Sequence, residues 1–324
     1  MSLIINNLSK RYNENWIIKD VSLTIYKGEI LGIFGSVGEG KSSLIRVIAG
    51  IEDSNGGSIT FDSIELTGKT CQERDFHFPT ITNDAFWKSV FNTHKSSEIA
   101  DGEGQVLALE DALQRAKNVL LLDNQFCFMD RQTRETVCEK LRQTVKEKNL
   151  AVIFATNSYT EVFSICDRVA VLHKGEICQT GTPREVYENP ASVLVANITG
   201  RNNLIAARPF TLNHTGMPEF QTLKGAHRLF TDKNEKDSLE LVDQNVTLAI
   251  RPEHVSISFG ASFPEDNLLK AKITNIIFQG ANTLIKLDAN GLELEALVLR
   301  LVGLNIGDEC IVGLPPDRIL VLKD

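Results

Sequence analysis

One octet limits this chain more than any other feature in it. Gly35-Ser36-Val37-Gly38-Glu39-Gly40-Lys41-Ser42 fits G-x-x-x-x-G-K-[ST] at every fixed position. Ahead of it runs Ile30-Leu31-Gly32-Ile33-Phe34, continuously apolar, as a strand buried on both faces would be. Behind it, residues 43–49 place Leu44, Val47 and Ile48 on one helical face, and Gly50 reads as the helix stop. Gly35, Gly38 and Gly40 let the backbone curl so that its N–H groups point inward at phosphate oxygens. A helix starting near Lys41 adds its positive end. Lys41 supplies a point charge for β- and γ-phosphates, and the Ser42 hydroxyl is a ligand for Mg²⁺. A glycine-rich turn matching by chance would leave the flanking strand and helix unexplained. Together with Ser36 and Ser43, these residues are the candidate nucleotide contacts.

The rest of the first two hundred residues continues the alternation. Residues 22–25, 119–122, 151–155 and 168–172 read as strands, and 131–148 as a helix rich in Arg, Glu, Lys and Gln. Strands alternating with helices imply an α/β fold with a mostly parallel sheet. Near Gly200 the texture changes to short alternating segments at 246–250, 269–277, 283–287, 292–298 and 319–322, separated by turns such as Ala289-Asn290-Gly291. That pattern implies a small all-β barrel or sandwich. A chain of 324 residues agrees with two domains, placed at 1–200 and 201–324.

Charge and cysteine usage narrow the classes further. Lys and Arg total 34 against 42 Asp and Glu, a net charge of -8, which argues against nucleic acid as partner. No stretch approaches the ~20 apolar residues of a membrane span. The first residues, Met1-Ser2-Leu3-Ile4-Ile5-Asn6-Asn7, lack the basic and long apolar regions of a signal peptide, so none is expected. The six cysteines form no Cys-x-x-Cys pair, which implies reduced thiols and neither a zinc site nor a redox pair.

Text around the phosphate loop carries a family resemblance. Leu8-Ser9-Lys10-Arg11-Tyr12, Ile18-Lys19-Asp20-Val21-Ser22-Leu23, Gly50-Ile51-Glu52 and Gly56-Gly57-Ser58-Ile59 resemble the ATPases of ATP-binding-cassette (ABC) transporters. Residues 171–177 and Gly181-Thr182-Pro183-Arg184-Glu185-Val186-Tyr187-Glu188-Asn189-Pro190 resemble importer ATPases of the sugar, polyamine, sulfate, molybdate and iron type. Leu248-Ala249-Ile250-Arg251-Pro252-Glu253-His254-Val255 and Asp317-Arg318-Ile319-Leu320-Val321-Leu322 are similar to their C-terminal regulatory (TOBE) domain, an OB-like barrel. The resemblance implies ATP and Mg²⁺ as ligands, Tyr12 stacking on adenine, and Asp123 joining Ser42 at the Mg²⁺. It also implies permease subunits as partners, a second ATP-binding subunit of the same or another chain, and indirectly a substrate-binding protein. The location implied is cytoplasmic, peripheral on the inner face of the membrane.

Against that family the chain departs at several positions. Asn124 stands where the family's catalytic Glu follows the Walker B Asp, and an amide cannot accept a proton. Gln125 replaces the usual Pro. Asn157 stands where a His contacts the γ-phosphate, and it carries no charge near neutral pH. Counting back from Asp123 puts Ile99-Ala100-Asp101-Gly102-Glu103 at the signature loop Leu-Ser-Gly-Gly-Gln. The Ser hydroxyl is then lost at Ala100, and Asp101 turns a charge toward phosphate. A shifted register, Asp101-Gly102-Glu103-Gly104-Gln105, keeps Gly104 and Gln105 but has no Ser. Asp130 matches the last residue of the loop after Walker B, which crosses the dimer interface in the family, and Cys127-Phe128-Met129 before it offer an apolar dimer contact. The segment 43–98, which holds the Gln-loop and helical subdomain in the family, is short; Gln72 lies early for the expected Gln. Phe76, Phe78, Phe86, Trp87 and Phe91 are either core or a reduced permease-docking patch. His214, His227 and His254 are scattered and read as structural.

These departures leave four functional readings, one of them an eroded protein without a function, against which the intact phosphate loop argues. One is a subunit that binds ATP–Mg²⁺, hydrolyses it poorly and acts as the structural or regulatory half of a transporter dimer, the reading preferred because Lys41 and Ser42 survive while their catalytic companions do not. The remaining two are a competent importer ATPase and a non-transport ATP-dependent regulator.

Overall fold

The computed structural model describes residues 2–79, 102–127, 129–212, 217–232, 245–258, 266–299 and 303–322. The chain divides into two compact units, Met1–Glu188 and Asn189–Asp324.

The first unit is built on two sheets. Strands β1 (Ser2–Tyr12), β2 (Asn15–Tyr26), β4 (Gly56–Phe61) and β5 (Ile64–Glu65) form an antiparallel sheet in the order β2-β1-β4-β5. Strands β3 (Ile30–Phe34), β6 (Val119–Asp123), β7 (Ala151–Thr156), β8 (Arg168–His173) and β9 (Glu176–Gly181) form the second sheet, in the order β6-β7-β3-β8-β9. The pairs β6–β7, β7–β3 and β3–β8 are parallel, and only β9 runs antiparallel. Every residue of β3 and β7 is buried, which is why these segments read as unbroken apolar runs. Helix α1 (Lys41–Ala49) adds Leu44, Ile45, Val47 and Ile48 to a core shared with both sheets, including Leu3, Ile5 and Ile25 from one and Leu31, Leu121 and Ile153 from the other.

After α1 the chain is short but firmly tied. Helix α2 (Cys71–Arg74) is opened by a reciprocal Thr70–Glu73 capping box. Arg74, buried at its end, donates Nη1 to the carbonyls of Val47 at 2.8 Å and Ile48 at 2.7 Å, and Nε to Lys69 at 2.9 Å. It thereby closes the C-terminus of α1 with a cation. His77 then pairs with β6: its N–H meets the Val119 carbonyl at 2.9 Å and its carbonyl the Leu121 N–H at 2.9 Å. Helices α3 (Gly102–Arg115), α4 (Arg131–Lys148), α5 (Tyr159–Ile165) and α6 (Pro183–Glu188) are the other helices of this unit among the described residues.

Among the described residues, the second unit opens with helix α7 (Val193–Ile198) and then contains only strands and two short 3₁₀ turns. Strands β10 (Asn203–Leu212), β11 (Pro218–Thr222), β12 (Arg228–Phe230), β13 (Val246–Ile250) and β19 (Leu320–Leu322) make one antiparallel sheet, in the order β12-β11-β10-β13-β19. Strands β14 (Ser256–Ser258), β15 (Asn267–Phe278), β16 (Thr283–Ala289), β17 (Leu292–Val298) and β18 (Glu309–Leu314) make the other, in the order β14-β18-β15-β16-β17. Both sheets feed one core: Ile205, Phe220 and Leu248 meet Leu269, Ile285, Leu294 and Val312. In β15, Asn267, Leu269, Ala271 and Ile273 are buried while Leu268, Lys270 and Lys272 between them are exposed. The β16–β17 turn is Asn290-Gly291, at φ 52° and 85°, the left-handed pair that a two-residue hairpin needs.

Two asparagines bind these sheets together. The Asn267 amide accepts from the Phe230 N–H at 2.8 Å and donates to the carbonyls of Phe230 at 3.0 Å and Leu314 at 2.9 Å. The Asn203 amide exchanges bonds with the backbone of Glu295, at 2.9 and 2.6 Å. Arg251 reaches the Ala196 carbonyl at 3.2 Å, the Arg201 carbonyl at 3.1 Å and Thr199 Oγ1 at 3.0 Å, fixing the end of α7.

Candidate phosphate-binding site

The parallel sheet sets the site by register. Asp123 is level with Ala155 across β6–β7, and Phe34 is level with Thr156 across β3–β7. Gly35, Asn124 and Asn157 therefore each stand just past the carboxyl ends of three adjacent strands. That crevice is where open α/β sheets take ligands.

The phosphate loop is held in shape by backbone contacts. Gly38 and Gly40 have φ of 88° and 100°, the left-handed region that favours glycine. A Cβ on Gly40 would come within 2.7 Å of the Ile17 carbonyl oxygen, and one on Gly35 within 2.3 Å of the Leu172 carbonyl oxygen. Nothing would meet a Cβ on Gly38, so the loop is open there. Lys41 folds back over the loop: Nζ donates to the carbonyls of Gly35 at 2.8 Å and Ser36 at 2.6 Å. Burial lowers its pKa, opposed by the charges of Asp123 and Glu39. An ammonium held beside two carbonyls at the loop is a ready partner for a polyphosphate.

Asp123 ends β6 with its carboxyl pushed above the usual range by burial, opposed by a hydrogen bond from Ser42 and by the charges of Arg46 and Lys41. The Ser42 hydroxyl thus lies near the Asp123 carboxylate. Hydroxyl plus carboxylate is a hard oxygen pair of the kind Mg²⁺ takes with phosphate oxygens. Both the open glycine cradle and this pair fit ATP–Mg²⁺.

Asn124 follows at φ 49°, fixed by its N–H to the Ala155 carbonyl at 2.8 Å, and its amide lies 3.3 Å from Asp123 Oδ1. Asn157 is exposed in the turn from β7 into α5. That turn is rigid on either side of it: Thr156 Oγ1 donates to Glu161 at 2.6 Å, and Ser158 caps α5 by accepting from the Glu161 N–H at 3.3 Å. Both positions therefore present neutral amides at the mouth of the crevice.

Tyr12, at the end of β1, is 40% exposed and anchored by its hydroxyl. That hydroxyl meets Ser43 Oγ at 3.3 Å and donates to Glu52, and burial together with the Glu52 bond raises its pKa. Glu52 also pairs with Lys10 and Arg46, each at 3.6 Å, and the Lys10 ammonium sits 5.2 Å from the Tyr12 ring centroid. Ser43 Oγ thus faces the Tyr12 hydroxyl. Nothing in local sequence spacing marks Glu52 or Lys10 as partners of Tyr12.

The signature region gives a mixed result. Ala100 and Asp101 lie outside the described residues, as do Phe86, Trp87 and Phe91. Gly102 is the first residue of α3. Gln105, the last residue of the shifted register, is buried, with its amide 3.5 Å from Cys127 Sγ. Asp130 caps α4, accepting from the Thr133 N–H at 3.0 Å and Thr133 Oγ1 at 2.6 Å; those bonds hold its carboxyl below the usual range. Met129 is buried and Cys127 exposed. Phe78 is core and Phe76 packs against Phe61, centroids 6.0 Å apart, so neither is a docking aromatic. Gln72 is exposed on α2. Gln125 is buried, donating to the Pro79 carbonyl at 3.0 Å, and anchors the segment after His77. Among the described residues no group of His, Cys, Asp and Glu forms a metal cluster, and no helix is long and apolar enough to cross a membrane.

Two family models match the chain: ABC transporter over residues 18–90 and TOBE domain over residues 248–322. The chain is similar to a sulfate/thiosulfate import ATP-binding protein of Bacillus cereus, 32% identical over 64% of this chain and 69% of that one. It is also similar to a spermidine/putrescine import ATP-binding protein of Mannheimia succiniciproducens, 30% identical over 78% and 76%. A crystal structure of a nucleotide-free ATP-binding cassette from an ABC transporter superposes with a TM-score of 0.54 at 18% identity, over 62% of this chain and 100% of that one. That likeness is one of fold.

Proposed function

The chain belongs to the ATP-binding subunits of ABC importers, and from that premise we propose that it binds ATP–Mg²⁺ but hydrolyses it poorly. It then acts as the structural or regulatory half of a transporter's nucleotide-binding dimer. Residues 1–200 supply the nucleotide site and 201–324 a regulatory β-domain. Permease subunits and a second ATP-binding subunit are its partners on the cytoplasmic face of the membrane. The relatives' names span sulfate, thiosulfate, spermidine and putrescine, so an ATP-binding chain of this kind carries little of the solute's chemistry.

The observation that carries this reading is the contrast within one crevice. Lys41, Ser42 and Asp123 are in place around the loop, while both adjacent strand ends offer an asparagine. Mg²⁺, when bound, neutralises charge between β- and γ-phosphates. Lys41 would leave the Gly35 and Ser36 carbonyls for phosphate oxygens, and Ser42 with Asp123 would hold the cation. Asn124 and Asn157 can orient a water by hydrogen bonds, but neither takes its proton. General-base catalysis contributes about 10²–10⁴-fold, so a slowing of that order follows for hydrolysis on this chain's own loop.

The test is equilibrium ATP binding and turnover by the chain alone and with candidate partner ATPases, alongside Lys41→Ala and Asn124→Glu. Binding that Lys41→Ala removes, with slow turnover that Asn124→Glu raises, supports the reading. Fast turnover by the chain alone, lost in Lys41→Ala, overturns poor hydrolysis in favour of a competent ATPase. Absence of ATP binding at millimolar concentration overturns the nucleotide site itself.

A further inference from the structure

The phosphate loop carries its own carboxylate. Glu39 precedes Gly40, and its charge reaches both the Lys41 ammonium and the Cys178 thiol. Its side chain turns out of the loop toward the β8–β9 turn. Oε1 lies 3.0 Å from His173 Nδ1, and Oε2 accepts the backbone N–H of Lys174. The pair is largely shielded, the side chains being 15% exposed for Glu39 and 27% for His173.

The turn that holds Glu39 is itself fixed. Lys19 N–H donates to the Gly175 carbonyl at 2.8 Å. Gly175, at φ 82°, lies so close to β2 that a Cβ would come within 2.3 Å of the Ile17 carbonyl oxygen. Gly35 presses on the Leu172 carbonyl at the end of β8 in the same way. Loop and turn therefore meet twice, at Gly35 and at Glu39, and neither has room to slide.

An anion beside a cradle for polyphosphate opposes what the cradle binds. How strongly it does so depends on the ring facing it. With a proton on Nδ1 the imidazole donates to Glu39 in both its neutral and its charged form, so the geometry is kept. Only the charge changes. A protonated His173 cancels the Glu39 charge; a neutral one leaves that charge facing the loop. The other charged or titratable groups near the pair, among the described residues, include Lys41, Lys174, Glu176, Cys178 and Lys19. Lys19 pairs with Glu176 at 3.3 Å, and burial pushes the Cys178 thiol up. Of these side-chain types, imidazole is the one that ordinarily changes charge between about pH 5 and 8.

We propose that Glu39 and His173 are positioning residues that tie the nucleotide affinity of the phosphate loop to one proton on the imidazole. This rests on the nucleotide-binding reading above and adds its regulation. The affinity is high while His173 is charged and declines as it loses its proton. Reciprocally, a bound polyphosphate favours the charged ring by the same factor.

Calorimetric binding of ATP and of ADP, with Mg²⁺, to the full chain and to Glu39→Gln and His173→Gln between about pH 6 and pH 8 tests this. The nucleotides' own titration is common to all three proteins and cancels in the comparison. The parent's affinity should fall over that range by about fivefold more than that of His173→Gln, a coupling at the low end of the usual range. Glu39→Gln should bind more tightly than the parent at pH 8, more so for ATP than for ADP, with a pH slope no steeper than that of His173→Gln. Added salt should shrink that gain. A purely mechanical latch has the opposite sign: Glu39→Gln would bind more weakly at every pH, which overturns the proposal. Equal slopes in all three proteins overturn it while leaving the nucleotide site intact, and no binding by the parent at any pH overturns both. Circular dichroism at each pH verifies folding, and Glu39→Ala replaces Glu39→Gln should the amide disturb the turn.

Discussion

Asp123 holds its charge against its surroundings. Burial raises its carboxyl pKa more than the Ser42 hydrogen bond and the Arg46 and Lys41 charges lower it. A carboxyl whose folded pKa lies above its unfolded one penalises the fold wherever the unfolded form is ionised, and the penalty vanishes once both forms are protonated. Asp123→Asn should therefore raise the melting temperature of the nucleotide-free protein at pH 7. The gain should disappear as pH falls below about 4, where the parent carboxyl is neutral too. The same variant should lose the Mg²⁺ dependence of nucleotide binding. A melting temperature unchanged at pH 7 would mean that the folded protein holds this charge at no cost. The sequence marks Asp123 as a candidate cation ligand through the family resemblance. It has no mark for Glu39, Glu52 or His173, because each becomes a partner only when distant segments meet: Glu39 and His173 are 134 residues apart, Tyr12 and Glu52 40.

At the level of elements, α1 depends on a helix of four residues. The last carbonyls of any helix lack intrahelical donors, and here a buried guanidinium from α2 meets two of them. Arg74→Met keeps most of the volume and removes the donors. Hydrogen bonds to a charged group are worth about 1.5–3 kcal/mol, and unmade buried ones cost a similar amount. A loss of about 3 kcal/mol in a urea titration is expected. A loss below about 0.5 kcal/mol would show that water replaces the guanidinium freely. Because α1 begins at Lys41, nucleotide affinity of the folded variant should also weaken. Periodicity and breakers gave β3, β6, β7, β8, β13, β15, β16, β17, α1 and the long helix α4 closely, since local hydrophobic spacing dictates them, but reached only the end of β2 and gave no bounds for β1, β4, β9, β10 or β18. Local spacing does not foretell the capping of one helix by another, nor that Phe76 and Phe78 turn inward beside β4 and α1.

In the whole molecule, the two units are stabilised by different means. The first rests on a parallel sheet whose central strands are buried on both faces. The second encloses one core between two antiparallel sheets and uses amides to align them. Asn267→Ala removes three bonds between β12, β15 and β18 and strands their partners. It should cost about 3 kcal/mol on denaturation. Nucleotide affinity of the folded variant should stay at the parent's, since Asn267 belongs to the unit without the loop; a parallel fall in affinity would refute that separation. What the sequence determined alone is what short-range chemistry dictates. Glycines before a lysine make a phosphate cradle, apolar runs make a parallel sheet, and alternation with Asn-Gly turns makes an antiparallel one. The register of that parallel sheet, fixed by long-range strand pairing, set Asn124 and Asn157 beside the loop. It also brought a histidine from the far turn against the carboxylate within it. Such contacts follow from which backbones pack closely enough to exclude water, and only the assembled fold makes that choice.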